Sequence, residues 1–442
     1  MFEIDMSSLN ISLKKVAKDV AVSDKIDQWR MVKKIKFKFS ILFFLIVISF
    51  TARLIAVLIY GDTTIDNEWG VLLNNLYYHK TYAFYEFGNK LIPSSYMPPL
   101  YPFILLFLKV ISFDKINILA LIFSLQILLS LISIYIFYKI NQQFFSMKTS
   151  MINSFIFALF PLNIYTVSQT SSITLQIFLS LLFLRYFFLT ANKCSNKNII
   201  IFSIICGLSL LTRGEFILIL IPTLIYKLVF KKINILNLIK ILLISLIIVS
   251  PYLIRNYINF EKIHIANVTG YALWKGNNPT LKVEGYENFK DYEEIKSKIE
   301  NIPYNNFYET KRDNIFLEAA IKNIKSDPGV YLLFYIKKIF SFYFFDTNST
   351  YDNYYHLMHI VPVALISFLS IPGFIIFLRS KDFNRRYLMI YFIIYILVFS
   401  LFFILPRYKL AILPIQIILS TFSIEYFLKK NKFLNKKITN WN

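Results

Sequence analysis

The sequence predicts an all-α polytopic membrane protein, and three observations predict it. Of 442 residues, 56% are hydrophobic and only 17% charged. The mean hydropathy is +0.54. Apolar runs of ~17–25 residues, enough helix to cross ~30 Å of hydrocarbon, recur along most of the chain. A formal charge of +22 would point a soluble domain toward nucleic acid. Here the Lys and Arg residues crowd into short loops beside apolar runs, where they set orientation on a lipid surface. That distribution argues against nucleic acid and for membrane lipids as the chain's surroundings.

Residues 1–38 carry Lys14, Lys15, Lys18, Lys25, Arg30, Lys33, Lys34, Lys36 and Lys38, so the positive-inside rule predicts a cytoplasmic N-terminal segment. The first span is predicted at 39–60, with Arg53 toward its outer end either snorkelling or facing the bundle interior. The polar stretch 61–97 is then external. Further apolar runs lie near 98–112, 116–140, 150–167, 172–190, 198–212, 214–230, 235–254, 357–379, 386–405 and 408–428, so about 10–12 transmembrane segments are expected within a domain spanning 39–430.

Counting crossings forward from the first loop and backward from Lys227 gives opposite sides for the loop at 139–148. One segment is therefore a half-span, a re-entrant piece or not a span, and the short runs 98–112 and 198–212, only ~22 Å as helix, are the suspects. Residues 256–356 form a second external region. Within it, Val330 to Phe345 reads as a helix in the outer interface. Residues 431–442 read as a cytoplasmic tail. Cys194 and Cys206 suggest neither a disulfide framework nor a metal cluster.

The first external stretch holds the candidate chemistry. A helix starting near Ile65 puts Ile65, Trp69, Leu72, Leu73 and Leu76 on one stripe, with Asp66 and Glu68 on opposite margins. A carboxylate at the lip of a site suits a general base, although acids also cap helix starts. His79 and Lys80 follow as candidate substrate contacts. Arg213, Arg255 and Arg407 lie at span ends and suit phosphate recognition by a guanidinium fork; simple snorkelling is the alternative for each. In the run 270–279, Tyr271, Trp274, Asn277 and Asn278 combine flat apolar faces with amides, as a sugar site needs, though a turn-rich loop has the same composition. His356 and His359 share an i,i+3 spacing without a third ligand, so no metal site is predicted.

An acid pair in a first external loop ending PPLYP, then LTRGE, PYLIRNY, GYALWKGNNP and PRYKLAILP, is an ordered set over about 40–428. It resembles the bacterial membrane glycosyltransferases of family 39, relatives of protein O-mannosyltransferases and of the lipid A aminoarabinose transferase. The resemblance implies a GT-C fold and a polyisoprenyl-phosphate-linked sugar donor, with transfer at the periplasmic or outer face of a bacterial inner membrane and inversion at the anomeric carbon. The acceptor would be a lipid, glycan or protein. Asp66 matches the family's loop-one acid, but Asn67 separates it from Glu68, so either carboxylate remains a candidate base. Where many relatives have Arg-Pro after Leu-Thr, this chain has Arg213-Gly214-Glu215. A divalent metal is compatible with such chemistry but nothing in the sequence calls for one. A flippase or transporter for lipid-linked saccharides, or a polysaccharide polymerase, would use similar cations. A transporter further predicts polar groups at mid-bilayer and repeated halves, which are not evident.

Overall fold

The computed structural model describes residues 41–87, 90–113 and 115–439, with side chains described as far as 429. The basic segment 1–38 and the side chains of the tail lie outside these residues. The chain divides at Thr51/Ala52. In the first unit, described residues 41–51 are helical, and Ser49 and Thr51 return hydroxyl bonds to Leu45 and Val47 four residues back.

Helices α1 (Ile41–Tyr60), α2 (Glu68–His79), α3 (Leu100–Ile111), α4 (Ile118–Asn141), α5 (Met147–Ala158), α6 (Pro161–Tyr165), α7 (Ile173–Asn192) and α8 (Asn196–Thr212) form the first half. The second half contains α9 (Ile217–Val229), α10 (Ile235–Phe260), α11 (Thr269–Gly276), α12 (Glu293–Glu300), α13 (Tyr308–Ser326), α14 (Pro328–Tyr343), α15 (Leu357–Leu378), α16 (Phe383–Ser400) and α17 (Leu413–Thr439). Six of these, α1, α4, α7, α10, α15 and α16, are long and apolar enough to cross a membrane singly. The pair α5–α6, bent by 60°, is long and apolar enough to make a seventh when taken as one span. Pro161 opens α6 because it has no N–H to continue α5, and Asn163 Nδ2 takes up the Phe157 carbonyl freed by the break at 2.9 Å.

Ring and polar contacts sort the connections into two ends. At one end Phe144 meets Phe188 and Phe377, Phe187 meets Phe383, and Asn237 reaches Cys194. Thr149 meets Glu425 there as well. At the other end Tyr60 meets Tyr165, Arg213 meets Tyr408, and Arg255 reaches Ser94. The shorter helices α8 and α9, and α17, also run between these ends.

Helix α3 does not. Tyr101 near its start packs edge-on to Trp69 at 5.1 Å, and Lys109 near its end lies 5.2 Å from the Tyr77 ring, so both ends rest on α2. The apolar run at 98–112 is thus a surface helix, too short at ~18 Å to cross, and the parity conflict disappears. Its apolar face is buried against α2, α4 and α7 through Leu105, Leu108, Ile122 and Leu179.

Two further sequence expectations change. The helix expected from Ile65 begins at Glu68, because the Asn67 side chain caps Trp69 N at 3.1 Å and leaves Asp66 in the preceding loop. The first loop also contains a two-stranded sheet, β1 (Ala83–Phe87) and β2 (Lys90–Pro93), paired antiparallel. Arg53 takes the interior option: it is fully buried, with Nε donating to Ser130 Oγ at 2.7 Å and Nη1 to the Ala158 carbonyl at 3.0 Å.

Candidate active site

The seat of the site is the segment 165–170 that follows the break in α5–α6. Gln126, buried on α4, holds it from below by donating to the Val167 and Gln169 carbonyls, each at 3.0 Å. Gln169 in turn donates to the Tyr60 carbonyl at the end of α1. The first loop grips the same segment twice. The Asp62 carboxylate accepts from Thr170 N and Oγ1, both at 2.6 Å, and Asn67 Nδ2 donates to the Thr170 carbonyl and hydroxyl at 3.1 Å. Gly61 permits this start, since a Cβ there would lie 2.3 Å from the Val57 oxygen.

Between the two grips, residues 63–66 form an arch. Asp66 is exposed on it and accepts a 2.5 Å hydrogen bond from Thr64. The arch lines a pocket of about 350 Å³ together with Gly70, Leu73, Asn74, Lys109 and the start of α4. Glu68 diverges from Asp66. It is half-buried on the first turn of α2, and its charge acts on the Tyr96 phenol. That phenol is pushed well above its ordinary value, first by burial and then by Tyr271, with Glu68 and Glu309 adding and Arg312 opposing.

Behind the arch, the loop's return limb is tied to the region 256–356. Glu309 on α13, 3% exposed, accepts from Ser94 Oγ, Ser95 N at 3.0 Å and Ser95 Oγ at 2.9 Å. Burial raises its carboxyl to about 7 despite those donors. Ser95 Oγ also lies 2.7 Å from His264 Nε2, and His264 is pushed down to about 4, chiefly by burial.

Arg255 completes the tie. Nη1 donates to the Ser94 carbonyl at 2.6 Å and to Asn256 at 2.8 Å, and Nη2 donates to the Tyr82 carbonyl at 3.0 Å. Its fork is thus filled by protein oxygens.

The other two arginines differ. Arg213 caps the end of α8 and stacks 4.8 Å from the Tyr408 ring centroid. Arg407, next to Tyr408, is exposed and acts electrostatically on Tyr165 and Tyr351; Asp62 acts on the same Tyr165. Arg407 is therefore within electrostatic reach of Tyr165, which opens the segment that Asp62 and Asn67 grip.

Of the remaining candidates, His79 and Lys80 are exposed at the far end of α2, with the Lys80 ammonium turned back to the Tyr77 carbonyl. Tyr271 is half-buried beside Arg312, which lies 5.4 Å from its ring centroid and bonds Tyr85 OH at 2.7 Å. Trp274 is fully buried in a core with Phe316, Ile295 and Ile299. Asn277 bonds the Leu273 and Leu401 carbonyls and Lys338 Nζ, and Asn278 bonds the Lys275 and Tyr286 carbonyls and Thr280. The amides of the 270–279 run thus hold backbone. His356 Nδ1 caps Met358 N, and His359 Nδ1 meets the Tyr354 carbonyl.

Sequence reasoning passed over Asp62, Thr170, Glu309 and Lys338. Asp62 was legible as an acid in the same loop, but the grip on Thr170 joins positions more than 100 residues apart and has no local signature.

Residues 96–254 match the family model described as dolichyl-phosphate-mannose-protein mannosyltransferase. No curated protein sequence matches the chain. Among solved structures, the chain is similar to the oligosaccharyltransferase AglB of Archaeoglobus fulgidus in complex with an inhibitory peptide and a dolichol-phosphate. The TM-score is 0.54 at 14% identity, over 92% of this chain and 52% of that one. The same enzyme tethered to an acceptor peptide gives 0.53 at 13%, over 89% and 50%. The chain has the GT-C fold. It spans about half the length of the archaeal enzyme. ArnT of Cupriavidus metallidurans bound to undecaprenyl phosphate aligns at a TM-score of 0.40 and 9% identity, over 85% of this chain and 77% of that one. In this chain the grips on Thr170 fall inside the matched region on one side and in the first loop on the other.

Proposed function

We propose that this chain is a glycosyltransferase that moves a monosaccharide from a polyisoprenyl-phosphate-linked donor to an acceptor hydroxyl. The site lies at the bundle end that carries Asp66, on the external face of the membrane, with the Lys-rich connections cytoplasmic. What supports the reading is the fold, the matched family description, and the dolichol-phosphate held by the archaeal relative. The observation that carries it is local. Asp62 and Asn67 clamp one arch to Thr170, exposing Asp66 over a pocket while Arg407 acts electrostatically on Tyr165 of the same segment.

In the reaction, the acceptor oxygen bonds to the anomeric carbon as the bond from that carbon to the phosphate oxygen breaks. The bonding pair leaves with the polyprenyl phosphate, and the hydroxyl proton passes to the carboxylate of Asp66. Arg407 and Arg213 take up the charge that grows on the phosphate, which removes the need for a strong general acid. Arg255 serves as a positioning residue for the loop. Glu68, through Tyr96, and His79, Lys80 and Tyr271 border the substrates, while Trp274, Asn277 and Asn278 support them.

The test is single-turnover transfer from a purified lipid-linked sugar. Asp66→Asn keeps the size of the side chain and removes the base, so transfer should fall ~10²–10⁴-fold with donor binding retained; Glu68→Gln should be milder. An active Asp66→Asn beside a dead Glu68→Gln moves the base to Glu68. Full activity in both removes the loop from the chemistry.

A further inference from the structure

The pocket under the arch has a composition that the donor side does not share. Its polar lining is Thr63, Thr64, Asp66, Asn74, Lys109 and Asn117, over an aliphatic floor that includes Leu73 and Ile118. At about 350 Å³ it falls in the range of roughly 300–1,000 Å³ typical of small-ligand sites. By contrast, the crevice beside Arg213 holds about 10 Å³. Hydroxyls and amides in this density match a ligand with several hydroxyl groups, since each offers both donor and acceptor. Among the described residues, Asp66 is the carboxylate and Lys109 the ammonium that line it.

The elements that wall the pocket also carry an apolar collar. On α3 and the turn after it, Phe103, Phe107, Val110, Phe113 and Ile116 are exposed, Phe107 by 64% and Phe113 by 76%. Large aromatic side chains left outward on a surface helix fit the bilayer boundary. A soluble ligand would need no such collar.

We infer that this pocket seats the acceptor, and that the acceptor is an anionic, hydroxyl-rich head group carried by a membrane lipid. The inference rests on the transfer reaction proposed above. An inverting displacement requires acceptor and leaving group on opposite faces of the sugar carbon. The arch provides that separation: Asp62 and Asn67 turn to Thr170 and the side of Arg407, while residues 63–66 turn to the pocket. Asp66 at the rim receives the proton of the attacking hydroxyl, and Lys109 attracts the anionic group. The Lys109 ammonium already sits over the Tyr77 ring, at 5.2 Å from its centroid, which holds it at the pocket wall.

The experiment reads occupancy and needs no transfer. Asn74→Cys, in a Cys194→Ser background with buried Cys206 retained, is labelled with a maleimide in nanodiscs of phosphatidylcholine with or without phosphatidylinositol, a lipid with an anionic polyol head. Phosphatidylinositol should slow labelling at least about fivefold, the protection expected at four times the dissociation constant. Lys109→Gln should abolish the slowing. Asn117→Cys provides the same readout from the opposite wall should the first variant misfold. Unchanged labelling at both positions overturns the proposal. Equal protection by water-soluble glucose 1-phosphate overturns the lipid assignment, and protection by undecaprenyl phosphate alone overturns the acceptor assignment. Protection with no glycosyl transfer in any variant would sink the proposed reaction and leave the pocket standing. Transfer without protection would do the reverse.

Discussion

Lys338 and Asn277 meet at 2.9 Å, ammonium to side-chain oxygen, in a spot with no solvent exposure for the lysine. The same ammonium donates to the carbonyls of Gly276 at 3.1 Å, Phe402 at 3.0 Å and Leu401 at 3.3 Å. A buried cation is tolerable only when it is so surrounded. Close approach is part of the design: a Cβ on Gly276 would lie 2.4 Å from the Phe402 carbonyl carbon. The end of α11 and one turn of α14 thus clasp the segment 401–403, which leads directly to Arg407 and Tyr408.

Lys338→Met removes the donor from the Gly276 and Phe402 carbonyls and from Asn277 Oδ1, while Asn277 still bonds the Leu401 carbonyl, and each acceptor left unpaired costs about 1–3 kcal/mol. The unfolding temperature in detergent should drop by an amount equivalent to at least about 3 kcal/mol. Asn277→Leu should cost less in the Lys338→Met background than alone, with a coupling of about 0.5–3 kcal/mol. Strict additivity in a double-mutant thermal series would show that the two side chains do not act as a unit.

Arg255 and Arg407 should separate by readout. Arg255→Ala removes the bonds to the Ser94 and Tyr82 carbonyls, so it should lower thermal stability and speed amide exchange over 82–97. Arg255→Lys should restore part of this, because one ammonium cannot span both carbonyls as a planar fork does. Arg407→Ala, at an exposed position, should leave the melt unchanged and raise the KM for donor by roughly tenfold, the loss expected for one charge-assisted contact at ~1.5 kcal/mol. Equal destabilisation by the two alanine variants would contradict this division.

Glu309 supplies a pH signature. Its carboxyl is raised by burial from 4.5 to about 7 in the fold. Between those values the unfolded chain has lost the proton and the folded chain still holds it, so stability from this group falls as pH rises and levels off above about 7. His264, pushed from 6.5 to about 4, gives the opposite slope. The clean comparison is therefore with Glu309→Gln. Its melting temperature minus that of the parent should rise between about pH 5 and about pH 7.5. A difference that stays constant across that interval would mean that Glu309 is ionised throughout.

Sequence by itself determined the class of this protein. The long apolar runs and the flanking cations follow from what a bilayer demands of any helix, so α1, α4, α7, α10, α15 and α16 were legible, as was the stripe Trp69, Leu72, Leu73 and Leu76 on α2. Hydropathy does not distinguish a helix that crosses from one that lies flat, because both bury apolar surface; only packing against Trp69 and Tyr77 assigned α3 to the surface. Nor does composition reveal what a polar side chain will bond. The amides of Asn277 and Asn278, and the fork of Arg255, look free in the sequence and are occupied in the fold. Tertiary structure alone decided that Asp62 and Asn67 share Thr170. Hydrogen-bond partners more than 100 residues apart are set by where the bundle brings the chain, and no local periodicity encodes that.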